Sequence, residues 1–253
     1  MTSAPFDAHA GSYDAVADSA LGRVLRDRVH QVLNTVTAPG DDVVDIGCGT
    51  GVDAAWLAPQ VRSVQAFDAS ANMVDLARAR CEQFENVTVA QRDASALRLA
   101  EPVDVVVANF GVVNCVGELA DFGARLYQSL VPGGYAVLVT MTRYCPTELA
   151  IGAATANRGL LGRRRPNRSH GGYDGLQVRY ASSSDLANAF GDRFVLTRSE
   201  SLGLVLPPFE QRSWVEDRPG LRRILAAADK SLGRLGAKAR VGDHHIAVFR
   251  RAS

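Results

Sequence analysis

Three glycines at alternate positions, Gly47, Gly49 and Gly51, follow a short apolar run that ends in Asp45 and Ile46. Glycines allow the backbone to turn sharply and allow a ligand to approach it closely. The run before them predicts a buried strand, and the segment after them predicts a helix. Strand, glycine turn and helix together begin a doubly wound nucleotide-binding fold. Three glycines alone are a weak signal, so the chemistry depends on what stands at the ends of the following strands.

Polar residues stand at the ends of the next three predicted strands. Asp68 follows the strand of residues 63–67, roughly 20 residues beyond the glycine turn, where a carboxylate can accept both ribose hydroxyls of an adenosyl ligand. Asp93, followed by Ala94, comes after the third strand, where an acid can bind the adenine amino group. Asn109 closes the fourth strand beside the same pocket. These positions predict one adenosyl-binding pocket.

The ligand that fits this pattern best is an adenosyl group without phosphates. A dinucleotide-binding turn needs Gly or Ala at the position of Val52, where a helix packs closely over a pyrophosphate. The lysine of a Walker motif is absent, which excludes a P-loop. A dinucleotide-dependent oxidoreductase stays open as an alternative, although Val52 and the Asp93-Ala94 site disfavour it.

Strands alternate with helices along most of the chain. Predicted strands cover residues 42–46, 63–67, 87–90, 103–110, 135–140, 194–204 and 245–249, and the clearest helices cover 18–37, 119–130, 185–190 and 219–236. This alternation implies an α/β fold whose parallel sheet carries helices on both faces. We therefore expect an N-terminal helical cap (1–40), a nucleotide-binding core (41–140), an insertion (141–183), and a C-terminal part of the same core (184–253).

The insertion at 141–183 is rich in glycine and contains three consecutive arginines, Arg163, Arg164 and Arg165, with no acidic residue between Glu148 and Asp174. A long excursion of this kind is usually functional or disordered, and we expect a lid over an acceptor site. Three interpretations of the arginines stay open: a solvated loop, recognition of an anionic or carrier-bound substrate, and RNA binding. RNA is the least favoured, because aromatic residues that could stack on bases are sparse there.

Composition narrows the class of protein. The 253 residues include 28 basic and 27 acidic ones, so a net charge of +1 creates no global field toward nucleic acid or anionic lipid. A hydrophobic fraction of 47% with 22% charged residues excludes wholesale disorder. No apolar run is long enough for a membrane span, and the N-terminus lacks the pattern of a secretory signal. Four cysteines without CxxC or zinc spacing predict a reduced, cytoplasmic protein with no metal site.

Four segments together resemble the class I S-adenosylmethionine-dependent methyltransferases, specifically the small-molecule branch. They are residues 45–51 (Asp-Ile-Gly-Cys-Gly-Thr-Gly), 67–70 with Met73, 92–94, and 130–134. The resemblance covers about residues 6–140 and is specific to the superfamily but to no substrate. It implies a doubly wound, mostly parallel seven-stranded sheet of the Rossmann-like methyltransferase type, closed by an antiparallel C-terminal pair.

The resemblance also implies S-adenosyl-L-methionine as the cofactor and assigns roles by position. Gly47 and Gly49 would line the methionine portion, with Asp45 nearby, and Asp68 would hold the ribose. Arg26 or Arg28 would meet the methionine carboxylate. The remaining implied contacts are those of Ala69 and Met73 beside the adenine, Asp93 and Ala94 at its edge, Asn109 at the methionine end, and Tyr13 over the cofactor.

Methyl transfer from a sulfonium needs alignment in a dry site, and it needs a base only when the acceptor must lose a proton. No obvious catalytic residue is present; His170 and His244 are weak candidates. The expected acceptor is a small molecule, which the arginines would suit if it is anionic. Residues 109–112 (Asn-Phe-Gly-Val) lack the Pro-Pro pattern of base-amino methyltransferases, which disfavours nucleic acid. An RNA or other macromolecular acceptor and a non-catalytic cofactor-binding module stay open.

Overall fold

In the computed structural model, residues 10–164 and 178–253 are described, and they contain a seven-stranded sheet in the order β3-β2-β1-β4-β5-β7-β6. The strands are β1 Asp42–Ile46, β2 Ser63–Asp68, β3 Val87–Gln91, β4 Val103–Ala108, β5 Leu130–Met141, β6 Phe194–Leu202 and β7 His244–Arg251. The first five are parallel, and β7 runs antiparallel between β5 and β6. This arrangement confirms the predicted fold class, including the antiparallel C-terminal pair.

Helices cover both faces of the sheet. They are α1 Ala10–Ala17, α2 Ala20–Leu33, α3 Val52–Leu57, α4 Ala71–Cys81, α5 Val112–Cys115, α6 Leu119–Ser129, α7 Pro146–Ala154, α8 Arg158–Gly162, α9 Ser183–Phe190, α10 Ser213–Glu216 and α11 Pro219–Lys238. Adjacent strand residues serve opposite cores: Val137 packs with the side chains of α2, and Leu138 with those of α6 and α9. The near-continuous apolar runs of β4 and β5 follow from this burial on both faces.

Two predicted boundaries differ from the structure for packing reasons. The last helix was expected to stop at Gly236, but α11 continues to Lys238. A Cβ at Gly236 would lie 2.8 Å from the Ser201 Cβ, so this glycine allows the helix to approach β6 and does not end it. The fifth strand begins at Leu130 instead of residue 135, because the chain re-pairs with β4 after an irregularity in register at Val103 and Val105.

Arg163 and Arg164 are bound by internal acids, which corrects the expectation that they require solvent or an external anion. Arg164 is buried, donates to Glu148 Oε2 at 2.9 Å and to the Thr142 carbonyl at 2.8 Å, and pairs with Asp243. Arg163 pairs with Glu148 at 2.5 Å. Glu148 precedes the arginines within the insertion, whereas Asp243 comes from the C-terminal part of the chain. Arg165 and His170 lie outside the described residues, and the lid stays a prediction.

Candidate functional site

The glycine turn between β1 and α3 is left-handed at all three glycines, with φ of 66°, 53° and 80° at Gly47, Gly49 and Gly51. A Cβ at Gly47 would lie 2.3 Å from a methyl carbon of Val112, so this glycine is required by the packing of α5 against the turn. A Cβ at Gly49 would lie 3.4 Å from the Tyr13 ring. The open side of Gly49 therefore faces the N-terminal helix.

An ion pair holds α1 against the glycine turn. Asp14 accepts a hydrogen bond from the Thr50 hydroxyl at 2.5 Å and pairs with Arg80 of α4 at 2.9 Å. Arg80 also donates to the Thr50 carbonyl at 3.0 Å. These contacts bring Tyr13, the preceding residue, to the side of Gly49.

Asp68 joins the glycine turn to the start of α4. Its carboxylate accepts from the Gly49 and Ser70 backbone N–H groups, each at 2.9 Å. Ser70 in turn caps α4 by accepting from the Met73 N–H at 3.2 Å. Ala69 is half-buried at this corner and Met73 is fully buried. The Asp68 carboxylate therefore lies at the carboxyl end of β2, beside the glycine turn that precedes α3.

Asp93 and Ala94 follow at the same edge of the sheet. The Arg92 N–H donates to the Asp68 carbonyl at 2.9 Å, which places Asp93 next to the end of β2. Asp93 is exposed and accepts from the Ser95 N–H at 2.7 Å, and Ala94 packs partly against the core. Asp68 pairs with Gln91 in the parallel register of β2 and β3, and Asp93 follows just after β3 ends.

A buried polar network lies behind the turn, and its centre, Asp53, was missed by sequence reasoning. Asp53 bonds Arg26 at 2.5 Å, His30 at 2.8 Å and the Asn109 side-chain amide at 2.8 Å. Burial alone would raise the pKa of Asp53, but Arg26 and His30 hold it below its usual range. His30 also stacks on Trp56 with ring centroids 3.8 Å apart. The sequence did contain a signal for this role, because Asp53 is an acidic residue in the first turn of the helix that follows the glycine turn.

Two buried polar atoms of this network lack a hydrogen-bond partner: Asp45 Oδ2 and Arg26 Nε. Burial, together with the charge of Asp53, raises the pKa of Asp45 well above its usual range. A ligand carrying both an ammonium and a carboxylate would satisfy the two atoms, since one accepts and the other donates. The methionine end of S-adenosylmethionine has that pair of charges, so the residues fit the cofactor. Arg28 instead pairs with Glu200 at 2.9 Å, which removes it from the site.

The turn after β4 carries a second feature that sequence reasoning missed, Phe110. Its φ of 44° is unusual for an L residue, and such conformations cluster at functional sites. The ring meets Phe209 and His244 edge-on, with centroids 6.0 and 5.7 Å apart, and the Arg26 guanidinium lies 5.2 Å from it. Phe110 therefore contacts both the Arg26 guanidinium of the polar network and the rings of Phe209 and His244.

His244 begins β7 opposite Met141, at the carboxyl end of β5. It is buried, and its Nδ1 lies 3.1 Å from Asp243 Oδ2. Burial would raise the pKa of Asp243, but His244 and Arg164 hold it below its usual range. The neighbouring His245 has a different role, because burial lowers its pKa to about 4 and its Nδ1 lies 3.2 Å from the Ser183 N–H.

Cys145, Glu148 and Asp243 form one group of potential metal ligands among the described residues. Arg164 bonds both carboxylates, and burial raises the pKa of the Cys145 thiol to about 11. A cluster already neutralised by a guanidinium, with a protonated thiol, does not suit a metal cation. Its charges instead stabilise the junction of β5, α7 and β7.

Part of the chain is similar to a known protein family. Residues 43–134 match a family described as a methyltransferase domain, and this span contains the glycine turn, Asp68, Asp93 and Asn109. This span carries the methyltransferase domain expected from the resemblance to the class I S-adenosylmethionine-dependent methyltransferases. The match confirms that resemblance and the cofactor class. In the described part of the chain, no helix has the length and apolar character needed to cross a bilayer.

Several curated relatives are similar to this chain. A trans-aconitate 2-methyltransferase of Deinococcus radiodurans is 29% identical over 73% of this chain and 75% of its own length. A malonyl-[acyl-carrier protein] O-methyltransferase of Pectobacterium atrosepticum is 32% identical over 64% and 60%. A demethylmenaquinone methyltransferase of Tropheryma whipplei is 31% identical over 41% of this chain, and the chain spans only 42% of that relative's length.

Solved structures share the fold. A chain from the complex between the Trm112 methyltransferase activator and a methyltransferase of Haloferax volcanii superposes with a TM-score of 0.66, at 16% identity, over 98% of this chain and 96% of its own. The N-methyltransferase NodS of Bradyrhizobium japonicum, in complex with S-adenosyl-L-homocysteine, gives a TM-score of 0.58 at 15% identity, over 94% and 91%.

Proposed function

We propose that this protein transfers a methyl group from S-adenosyl-L-methionine to a small-molecule acceptor. The observation that carries the proposal is the pair of orphaned buried atoms, Asp45 Oδ2 and Arg26 Nε, behind a left-handed glycine turn. When bound, the cofactor supplies an activated methyl group on a sulfonium. The protein's contribution is to hold the cofactor and the acceptor in line and to exclude water.

Each site residue then has a role in holding the cofactor. Asp45 pairs with the ammonium, Arg26 with the carboxylate, and Asp68 accepts the ribose hydroxyls. Because the pKa of Asp45 is raised in the free protein, an incoming ammonium favours its ionised form and releases a proton. The other contacts are those of Gly47, Gly49, Tyr13 and Asn109 along the methionine end, and of Ala69, Met73, Asp93 and Ala94 around the adenine.

The acceptor is proposed as a small organic molecule because the curated relatives include enzymes named for trans-aconitate, demethylmenaquinone and ubiquinone biosynthesis. Arg163 and Arg164 supply no anion site, since Glu148, Glu210 and Asp243 already pair with them. A cytoplasmic location is proposed on the unpaired state of all four cysteines.

His244 is proposed as the base that takes the acceptor's proton. Its Nδ1 lies 3.1 Å from Asp243 Oδ2 but outside hydrogen-bond geometry, and the Phe110 ring packs against the imidazole. An acid beside a histidine is a recurrent arrangement in proton transfer, and Nε2 is the nitrogen proposed to meet the acceptor. His170 lies outside the described residues and stays a second candidate.

The cofactor site is tested by Asp68→Ala. Hydrogen bonds to a charged group contribute about 1.5–3 kcal/mol each, so the Kd for S-adenosylmethionine should rise at least about tenfold. Asp75→Ala is the matched control, because Asp75 lies on α4 with its side chain 73% exposed. Calorimetry with S-adenosylmethionine and with NAD measures both ligands. Unchanged cofactor affinity in folded Asp68→Ala, or tight binding of NAD alone, would contradict the adenosylmethionine site.

The base is tested by His244→Gln, assayed against acceptors of the relatives' classes with labelled cofactor. Loss of a general base should lower kcat by about 100-fold or more and remove its pH dependence, with cofactor Kd unchanged. A purely structural role would instead lower the melting temperature and leave the pH profile intact. Cofactor binding without turnover on any acceptor, even in the wild type, would favour the non-catalytic module.

A further inference from the structure

The outward surface of α11 carries an apolar stripe. Leu221, Ile224, Leu232 and Leu235 are 41%, 68%, 39% and 64% exposed. At 3.6 residues per turn they fall within a sector about 80° wide, on the side of the helix away from the sheet. The side of the helix next to the stripe packs on β6 through Gly233 and Gly236. Large apolar side chains that are neighbours and exposed mark an interaction surface.

Basic side chains occupy the rest of this outward surface. Arg223, Lys230, Arg234 and Lys238 are all exposed and lie beside the stripe. The single acidic residue of α11, Asp229, is fully buried and accepts from the Gly203 and Val205 N–H groups. No carboxylate of the helix itself therefore opposes an anion here; Glu200 of β6 lies 2.9 Å from Arg198 and 3.9 Å from Arg234, and it is buried. The positive charge is local, because the whole chain carries only +1.

Two neighbouring features extend the surface. Trp214 on α10, just before α11, is 48% exposed. On the other side, a groove of about 470 Å³ between the edge strand β6 and α11 is lined by Arg198, Arg234 and Lys238 together with hydroxyl groups, including that of Thr197. Tryptophan at the edge of an apolar stripe and a groove of cations and hydroxyls both suit the headgroup region of a bilayer.

We propose that α11, with Trp214, lies in the surface of an anionic lipid membrane. The stripe would enter the boundary between headgroups and acyl chains, while the four basic residues and the groove contact lipid phosphates. A helix with one apolar side, a cationic polar side and no capacity to span has this mode of binding. The inference rests on exposed groups outside the cofactor site, so it holds or fails independently of the proposed methyl transfer.

Co-sedimentation of the full chain with vesicles tests the proposal. The wild type should pellet with phosphatidylcholine vesicles that contain about one third phosphatidylglycerol, and not with pure phosphatidylcholine. Binding should weaken steeply as ionic strength rises to about 1 M. The emission of Trp214 should shift to the blue on binding. A wild type that stays in the supernatant with both kinds of vesicle overturns the proposal.

Variants separate the stripe from general surface effects. Ile224→Asp with Leu235→Asp should lower the partition coefficient at least about tenfold, because each side chain loses its transfer from water. Arg223→Glu with Arg234→Glu should lower it similarly and remove the salt dependence. Leu76→Asp is the matched control, since Leu76 is 40% exposed on α4. Cofactor affinity, measured in parallel, reports that each variant is folded.

Two outcomes of these variants would also overturn the proposal. One is an equal loss of vesicle binding in Leu76→Asp, which would make the effect non-specific. The other is a wild type that elutes as a dimer and becomes a monomer on Ile224→Asp with Leu235→Asp, without any vesicle binding. The stripe would then be an interface between two copies of the chain.

Discussion

Replacing Arg164 with methionine is expected to lower the free energy of unfolding by about 3–5 kcal/mol. Methionine keeps much of the volume but removes the guanidinium that bonds Glu148, Asp243 and the Thr142 carbonyl. Two carboxylates would then remain buried without that partner, and this is the costly half of breaking a buried ion pair. Denaturant unfolding of both proteins measures the difference.

Arg62→Met is the matched control. Arg62 pairs with Asp42, but its side chain is 62% exposed, and exposed pairs contribute at most about 1 kcal/mol. If Arg164→Met destabilises no more than Arg62→Met, then Arg164 is not the neutralising centre of this junction. That result would favour the interpretation in which the arginines belong to a solvated loop.

The same variant has a predictable pH dependence. In the wild type, the pKa of Asp243 lies below its ordinary value of 3.8. The unfolded chain therefore binds more protons than the folded one below about pH 5, and stability falls as the pH is lowered through that range. Removing Arg164 reduces the depression of this pKa, so acid unfolding of Arg164→Met should depend less steeply on pH. An unchanged slope would show that His244 alone sets the pKa of Asp243.

Arg26→Met is expected to raise the Kd for S-adenosylmethionine by about 30-fold or more, because truncating one partner of a buried charge pair costs about 2–5 kcal/mol. The variant removes the donor proposed for the cofactor carboxylate. It also leaves His30 and Asn109 as the remaining side-chain hydrogen-bond partners of Asp53. Calorimetric titration at a temperature where the variant is folded gives the affinity.

Arg28→Met is the control that separates an effect on cofactor binding from an effect on stability, because Arg26 and Arg28 are both buried on α2. Arg28 pairs with Glu200 of β6 and lies 3.8 Å from Asp229 of α11. Arg28→Met should therefore lower the free energy of unfolding by an amount comparable to that of Arg26→Met. The cofactor Kd should stay within about twofold of the wild type, because the partners of Arg28 lie outside the site. Equal losses of affinity in the two variants would contradict the assignment of Arg26.

The sequence by itself determined the parts of this protein that depend on local pattern. Alternating apolar runs predicted the seven strands, because strands covered on both faces must be almost continuously apolar. The glycine turn, Asp68 and Asp93 could be placed at one edge, since the carboxyl ends of parallel strands meet there. The family resemblance and its cofactor follow from the same short motifs. Gly236 was misjudged, because a glycine that ends a helix and one that allows close packing look alike in sequence.

Only the tertiary structure decided which charges neutralise each other. Asp53 is 27 positions from Arg26 and 56 from Asn109, and Arg164 and Asp243 are 79 apart, so no local pattern connects them. Burial then fixes what each group does: Asp45 has a raised pKa and an unpartnered oxygen, while Asp243 has a lowered pKa beside Arg164 and His244. A sequence lists ionisable residues, but desolvation and distance, which set their protonation, exist only once the chain has folded.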